Sequence, residues 1–426
     1  MLVQFSVANY LSFKDRQTLS LVASRDTEHE ENTFAGRGKR PLRLLKSVAL
    51  YGANASGKSN LMKALRFVQA FVRESASRQA GEKTGAVPFK LDAQTTSLPS
   101  EFEVVFIHED EQYVYGFTVD AQKVHEEWLT AARLSGHVAR PRLLFRRSAS
   151  EGYEFGGTWR GGREKLAEVT SEKALFLSVA AQFNSPVAGP LVEWFERELR
   201  GIGDEPELGS EMRFTTGLVT GEEGLGETAR QGLLSFLQAA DPSVEDVSVD
   251  MVPLEKAPRF AALSRSSQAE ILSGVPEGGS PELPEVRTVH RRNDGGEVRL
   301  ELEAEGSAGC RRLFALFGPW FYMLSMGCVL CVDEIERKLH PLITRYLVTV
   351  AHHSESAQLV FTTHDSGLLD SQLFRRDQIW FTEKDSSGAT QLYSLWDYKV
   401  RKDENYRSGY LKGRYGAIPF VGEFGF

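Results

Sequence analysis

"GANASGKS", Gly52 to Ser59, fits the pattern G-x-x-x-x-G-K-S/T, and its surroundings decide how the rest of the chain is read. Upstream, LLKSVALY, Leu44 to Tyr51, is a short apolar run with the composition of a strand. Downstream, NLMKALRFVQAFVRES places Leu61, Leu65, Val68 and Val72 near helical spacing. Strand, glycine-rich loop and helix form the context in which this pattern holds phosphate. The glycines let the backbone curl so that several N–H groups converge on an anion, and the helix start adds its positive end. Gly52, Asn54, Ala55, Ser56, Gly57, Lys58, Ser59 and Asn60 are the candidate nucleotide contacts. Lys58 would reach the β and γ phosphates and the Ser59 hydroxyl would ligate Mg2+.

A loop of this kind needs a distal carboxylate for the metal and, for hydrolysis, a group that orients water. The run CVLCVDE, Cys328 to Glu334, is an apolar strand ending in two acids. Asp333 is placed to hold Mg2+ through water, and Glu334 to polarise the attacking water. One strand later, LVFTTHDSGLLD carries His364 at a strand end, where its ring would stand beside the γ-phosphate. The catalytic candidates are therefore Lys58, Glu334 and His364, the metal candidates Ser59 and Asp333, and the implied cofactors ATP and Mg2+.

The 426 residues are 41% hydrophobic and 25% charged, with net charge -8, a globular balance that argues against a generally basic nucleic-acid-coating protein. Three cysteines, Cys310, Cys328 and Cys331, make neither a disulfide framework nor a zinc site. The start, MLVQFSVANYLSF, alternates apolar and polar residues and reads as a strand, not a signal peptide. With no apolar run of about 20 residues to span a bilayer, a cytoplasmic protein is expected. FEVVFIHEDEQYVYGFTVD reads as a hairpin turning at Glu109 to Glu111. Three regions are expected: 1–150 as the first half of an ATPase domain with a β-rich lobe, 151–297 as a mostly helical insertion, and 298–426 as the second half. In that last region strands alternate with helices again, which means a parallel, sandwiched sheet. Gly318-Pro319 should kink or end the helix that opens after Gly309.

The glycine-rich loop, SAG at Ser307 to Gly309, VLCVDE and FTTH together resemble the ABC-type ATPases, in the branch containing SMC-like and OLD-like proteins. VANYLSFKDRQTLSL, YGANASGKSNLMKAL, DEIERKLHP and GYLKGRYGAIPF resemble more narrowly the stand-alone AAA/ABC-like ATP-binding proteins of bacterial abortive-infection and phage-defence gene pairs. The resemblance covers both ends of the chain and leaves the middle unmatched. It implies an α/β P-loop NTPase fold of ABC-ATPase type. It also implies that Ser307 and Gly309 face the γ-phosphate bound by a second copy, through a hydroxyl and through a backbone N–H at a helix start. A plain Ser-Gly helix cap is the alternative. RKLHP, with Lys338 and His340, takes the place of a partner-touching loop or of a surface cap. The family's Mg2+-contacting glutamine is assigned to neither Gln69 nor Gln94.

On this reading the protein is an ABC-type ATPase that dimerises around ATP and regulates a separate effector, a nuclease or toxin, in anti-phage defence. A homodimer or higher homo-oligomer is implied, with no membrane role. OLD-like relatives carry their own nuclease domain, but the residues after His364 hold no Asp-x-Asp pair, so a separate effector is needed. One alternative is an SMC-like DNA-binding ATPase of DNA maintenance or repair. Arg133, Arg140, Arg142, Arg146 and Arg147 argue for it, as does a tail interleaving Lys399, Arg401, Lys402, Arg407, Lys412 and Arg414 with tyrosines. That tail reads in the first place as a segment that packs on its own domain or docks a partner protein. The other alternative is a slow-turnover, nucleotide-dependent scaffold.

Overall fold

A computed structural model describes residues 1–426 apart from 35–41, 80, 135–140, 203–207, 222–225, 258–259, 261–264, 266–267, 269–281, 399, 402–403 and 420–426. Its organising element is Ser47–Gly52, a strand buried at every position. A run that is apolar on both faces belongs inside a sheet covered on both sides, where parallel strands are found. It sits in a six-stranded sheet in the order Leu199–Ile202, Val329–Val332, Gln358–Thr362, Ser47–Gly52, Ile379–Lys384, Thr390–Ser394. The first five run parallel, and the edge strand Thr390–Ser394 returns antiparallel as a hairpin. Register sets Thr362 beside Leu50, Val332 beside Phe361 and Thr382 beside Gly52. The carboxyl ends of four neighbouring strands therefore finish together, which in open α/β sheets is where ligands bind.

A second sheet of seven antiparallel strands is built from Gly152–Phe155, Arg142–Ser148, Val124–Arg133, Glu111–Val119, Ser100–His108, Leu2–Ala8 and Gln17–Ser20, in that order. The expected hairpin is present, with Glu109 in a left-handed conformation (φ 53°) between Ser100–His108 and Glu111–Val119. Helix Lys58–Glu74 shares one hydrophobic cluster with both sheets, placing Leu61, Leu65, Val68 and Val72 against residues such as Phe5, Val48 and Phe102. Trp194 stacks on Phe106 with ring centroids 4.2 Å apart. Glu127, fully buried, accepts hydrogen bonds from Tyr115 Oη (3.0 Å), Phe176 N (2.7 Å) and Leu177 N (3.0 Å), and Arg147 lies 3.8 Å away. A buried carboxylate supplied with this many donors is a structural post.

The chain divides into two compact units: Met1–Asp204 with Tyr322–Arg337 and Thr344–Phe426, and Glu205–Phe321 with Lys338–Ile343. The stretch 151–297, expected as mostly helical, contributes Leu199–Ile202 to the parallel sheet. It also supplies two strands of a three-stranded antiparallel sheet, Val244–Pro253 and Glu282–Arg291, with Glu297–Glu301 as the third. In VEDVSVDMVP, Val247 and Val249 share one face at period two and pack in the second unit's cluster, and Val244 is buried as well, across a register shift between Val244 and Asp246. Helices Leu208–Thr220 and Gly226–Gln238 of the second unit contribute Leu218, Leu233 and Leu237 to a cluster with Val247, Val286, Phe314 and Phe317. No described helix is long and apolar enough to cross a membrane.

Helix Ala308–Met326 runs through Gly318-Pro319 without ending there. The Thr215 hydroxyl donates to Phe314 O (3.0 Å) and accepts from Gly318 N (3.0 Å), inserting into the backbone ladder one residue before the proline. Such an insertion relaxes the ladder where the ring would otherwise strain it. Thr215→Val should leave both backbone groups unpaired in a buried setting and lower unfolding free energy by about 1–3 kcal/mol. Denaturant titration against wild type measures this.

Candidate functional site

The glycine-rich loop follows Gly52 and holds its shape by leaning on the hairpin beside it. Ser56 Oγ lies 2.6 Å from Thr382 Oγ1, and Thr390 Oγ1 lies 2.8 Å from Ser56 O and 2.8 Å from Ser12 Oγ. Asn60 Nδ2 donates to the same Ser12 hydroxyl at 2.8 Å. Close approach explains Gly57: with φ at 120°, a Cβ there would stand 2.2 Å from Thr390 Oγ1. A Cβ on Gly52 would meet Thr382 O at 2.4 Å.

Lys58 opens the helix and is 5% exposed. Its ammonium donates to Gly52 O (2.8 Å) and Ala53 O (3.0 Å). Burial pushes its pKa down to about 8, although Asp333, Glu334 and Glu336 pull the other way. Removing an ammonium from water with only carbonyls as partners weakens its charged form, which an arriving polyphosphate would restore. The Ser59 hydroxyl has no hydrogen-bond partner among the described residues.

Opposite the loop, two strand ends are tied by one hydroxyl. Thr362 Oγ1 donates to Asp333 Oδ1 (2.6 Å) and accepts from Glu334 N (2.8 Å). Asp333 is buried, whereas Glu334 is half-buried and held at φ 49°. A left-handed non-glycine residue at such a turn is a strained position often associated with function. His364, exposed, is fixed through its backbone N–H, which donates to Glu336 Oε1 at 2.6 Å. Partial burial and the charge of Lys58 push the His364 ring below its ordinary pKa, favouring the neutral form.

Asn54 through Asn60, Glu334, His364 and Lys384 line one cavity of about 490 Å³. The cavity thus joins the loop, the second acid and the histidine; Asp333 lies behind Glu334, on Thr362. Among the described residues no group of three or more His, Cys, Asp or Glu is arranged to hold a metal ion by itself. The donors are a free serine hydroxyl and a buried carboxylate, which suits an ion that keeps waters and ligand oxygens, as Mg2+ does.

Ser307 and Gly309 belong to the second unit. Ser307 Oγ is exposed and accepts from Cys310 N at 3.1 Å, capping helix Ala308–Met326. Arg311 turns back to Glu303 O (2.9 Å) and Gly306 O (2.8 Å), tightening that turn. His340 Nδ1 accepts from Leu342 N (3.2 Å), at the start of helix Pro341–His353. Gln69 is committed to Phe195 O (3.1 Å) and Leu199 O, and Gln94 is exposed. Sequence reasoning missed Ser12, Thr362, Thr382, Thr390 and Lys384 in this site. Single hydroxyls in strands carry no pattern, although Thr362 stands inside the quoted FTTH.

A family model described as "AAA domain, putative AbiEii toxin, Type IV TA system" matches residues 47–177 and 227–370, well over half of the chain. No curated protein matches it. Among solved structures, the Smc head bound to the C-terminal winged-helix domain of ScpA is 12% identical, covers 94% of this chain and 99% of its own, and has a TM-score of 0.46. The SMC head domain from Thermotoga maritima is 11% identical over 92% and 98%, with a TM-score of 0.39. The recombination mediator RecF with ATPrS is 13% identical over 92% and 98%, with a TM-score of 0.32.

Thr362→Val should leave Glu334 N without its side-chain acceptor and remove the hydroxyl's bond to Asp333 Oδ1. The expected loss is about 1–3 kcal/mol of stability, read by denaturant unfolding of the nucleotide-free protein.

Proposed function

The chain belongs to this AAA domain family, and from that membership we propose that it is an ABC-type ATPase that closes head to tail around ATP and thereby regulates a separate effector, a nuclease or toxin, in anti-phage defence. The observation that carries the reading is the single cavity with Lys58 and Ser59 on one wall and Glu334 and His364 on another. A phosphate cradle facing a carboxylate and a neutral imidazole has the parts that phosphoanhydride hydrolysis requires, positioning and charge stabilisation above all.

In this mechanism the N–H groups of Asn54 to Asn60 and the Lys58 ammonium hold the phosphate chain. Ser59 and, through water, Asp333 would hold Mg2+, which when bound neutralises phosphate charge. Glu334, turned into the cavity by its left-handed backbone, accepts a proton from the attacking water. Its neighbour Arg337 lies 3.8 Å from the carboxylate. His364 donates or accepts at the terminal phosphate from a strand end whose height is set by the parallel register. Ser307 and Gly309 act in trans: the hydroxyl that caps its own helix, and the helix N-terminus behind it, meet the other copy's γ-phosphate. ATP then serves as the glue of the dimer, and its hydrolysis releases it.

The family description names a toxin of a toxin–antitoxin system, which supports a role in a gene pair; a nuclease-like or toxin-like reading frame beside this gene is the matching observation. A second reading, an SMC-like ATPase acting on DNA, is favoured by exposed Arg401, Arg407, Lys412 and Arg414 in the tail. Of the tail tyrosines, Tyr406, Tyr410 and Tyr415 are buried and Tyr398 is exposed, so charge and one aromatic ring remain as its means of contact; Lys399 and Lys402 lie outside the described residues. Of the upstream arginines, Arg133 and Arg142 pair with Glu111, Arg147 stands by Glu127, and Arg140 lies outside the described residues. A salt-sensitive shift of duplex DNA by the purified protein would promote this second reading.

Glu334→Gln should lower turnover about 100-fold or more while ATP-dependent dimers accumulate in size-exclusion chromatography. Ser307→Arg should keep ATP binding and lose both dimerisation and hydrolysis; a variant with full turnover would remove the trans role. Free Lys58 loses its proton as pH rises through about 8, and only the protonated form pairs with phosphate. ATP affinity should therefore fall above that pH, with proton uptake on binding near pH 8.5, read by calorimetry in buffers of different ionisation enthalpy.

A further inference from the structure

Lys384 ends the strand Ile379–Lys384 and lines the phosphate cavity together with Lys58 and Asn60, yet no part of the proposed chemistry has fallen to it. Two residues earlier, and so on the same face of the strand, Thr382 contacts Ser56 at 2.6 Å. The opposite face is closed by the tail. Phe381 stacks on Tyr410 and Tyr415, with centroids 5.7 Å and 5.9 Å apart. The Tyr393 hydroxyl lies 3.0 Å from Glu383 Oε2 and 2.9 Å from Tyr415 O. The strand end is thus gripped from both sides. Its next pleat carries Lys384 about 6–7 Å past Thr382, beyond the loop residue Ser56 and toward the mouth of the cavity.

The Lys384 side chain is exposed, and among the described residues it has no hydrogen bond or ion pair. The acids beside it are engaged elsewhere: Glu383 with Tyr393, and Asp385 with Ser387 Oγ (2.6 Å) and Gln391 Nε2 (3.0 Å). An uncompensated ammonium on a rigid strand end, facing a cavity already built for anions, is suited to a second anion contact. We propose that Lys384 is a second phosphate-binding cation, supplied by the hairpin, that contacts the polyphosphate chain of the bound nucleoside triphosphate; this rests on the ATP-binding reading. The two lysines divide the work. Lys58 is desolvated beforehand and fixed by carbonyls, whereas Lys384 reaches in from solvent with three free donors and loses little hydration until the ligand arrives.

The test is equilibrium binding of ATP in Mg2+ to the full-length protein, comparing wild type with Lys384→Ala and Lys384→Arg. Lys384→Ala should raise the Kd about 10-fold and weaken its dependence on ionic strength. Lys384→Arg should restore most of the affinity. The nucleotide-free Tm should not move in either variant, because the side chain makes no bond within the protein. An alanine variant that binds ATP as wild type does, or one whose lost affinity comes with a lowered nucleotide-free Tm, overturns the proposal. Wild-type protein that binds no ATP overturns the ATPase reading and this inference together; wild-type binding with an unaltered alanine variant overturns this inference alone.

Discussion

Four neighbouring parallel strands, three of them buried at every position and the fourth, half-buried Trp380 apart, up to its last two residues, cannot slip past one another without dragging apolar side chains out of register. Everything at the site depends on that constraint. It sets Thr362 level with Leu50 and Thr382 level with Gly52, so the loop, the acidic turn and the histidine leave the sheet at one height. Because the strands carry the alignment, the loops that follow need only short local ties to finish it.

Those ties are mostly hydroxyls. Thr362 bridges the acidic turn from the adjacent strand end, and Thr382, Thr390 and Ser12 shape the phosphate loop from outside. Each is a neutral group, so none adds a charge to the cavity lined by Lys58, Glu334 and His364. The net result around Lys58 is a cation held by carbonyls and watched by acids at greater distance. Its burial weakens it in the free state and gives an anionic ligand more to restore.

How much of this was legible in the sequence varies with the range of the interaction. Lys58, Asp333, Glu334 and His364 were legible as candidates because each belongs to a local pattern, Lys58 to the glycine-rich loop and the other three to the ends of apolar runs. The hairpin at Glu109 was legible for the same reason. That helix Ala308–Met326 continues past Pro319 was not legible, because the inserted group, Thr215, is remote in sequence. The strands Val244–Pro253 and Glu282–Arg291 were overlooked in a region judged by its helical segments and glycine-rich loops. The arginines around 133–147 looked like a patch, but most of those described are matched by Glu111 and Glu127.

By itself the sequence determined the local parts of the candidate site: a glycine-rich loop framed by strand and helix, a pair of acids and a histidine, all specified by residue type and spacing over short stretches of chain. Only the tertiary structure decided which remote groups complete it. Ser12 and Thr390 reach the loop, Lys384 lines its cavity, and Tyr406, Tyr410 and Tyr415 turn inward, because of sheet order and strand register. Those are properties of pairings between distant segments, and no local spacing in the chain encodes them.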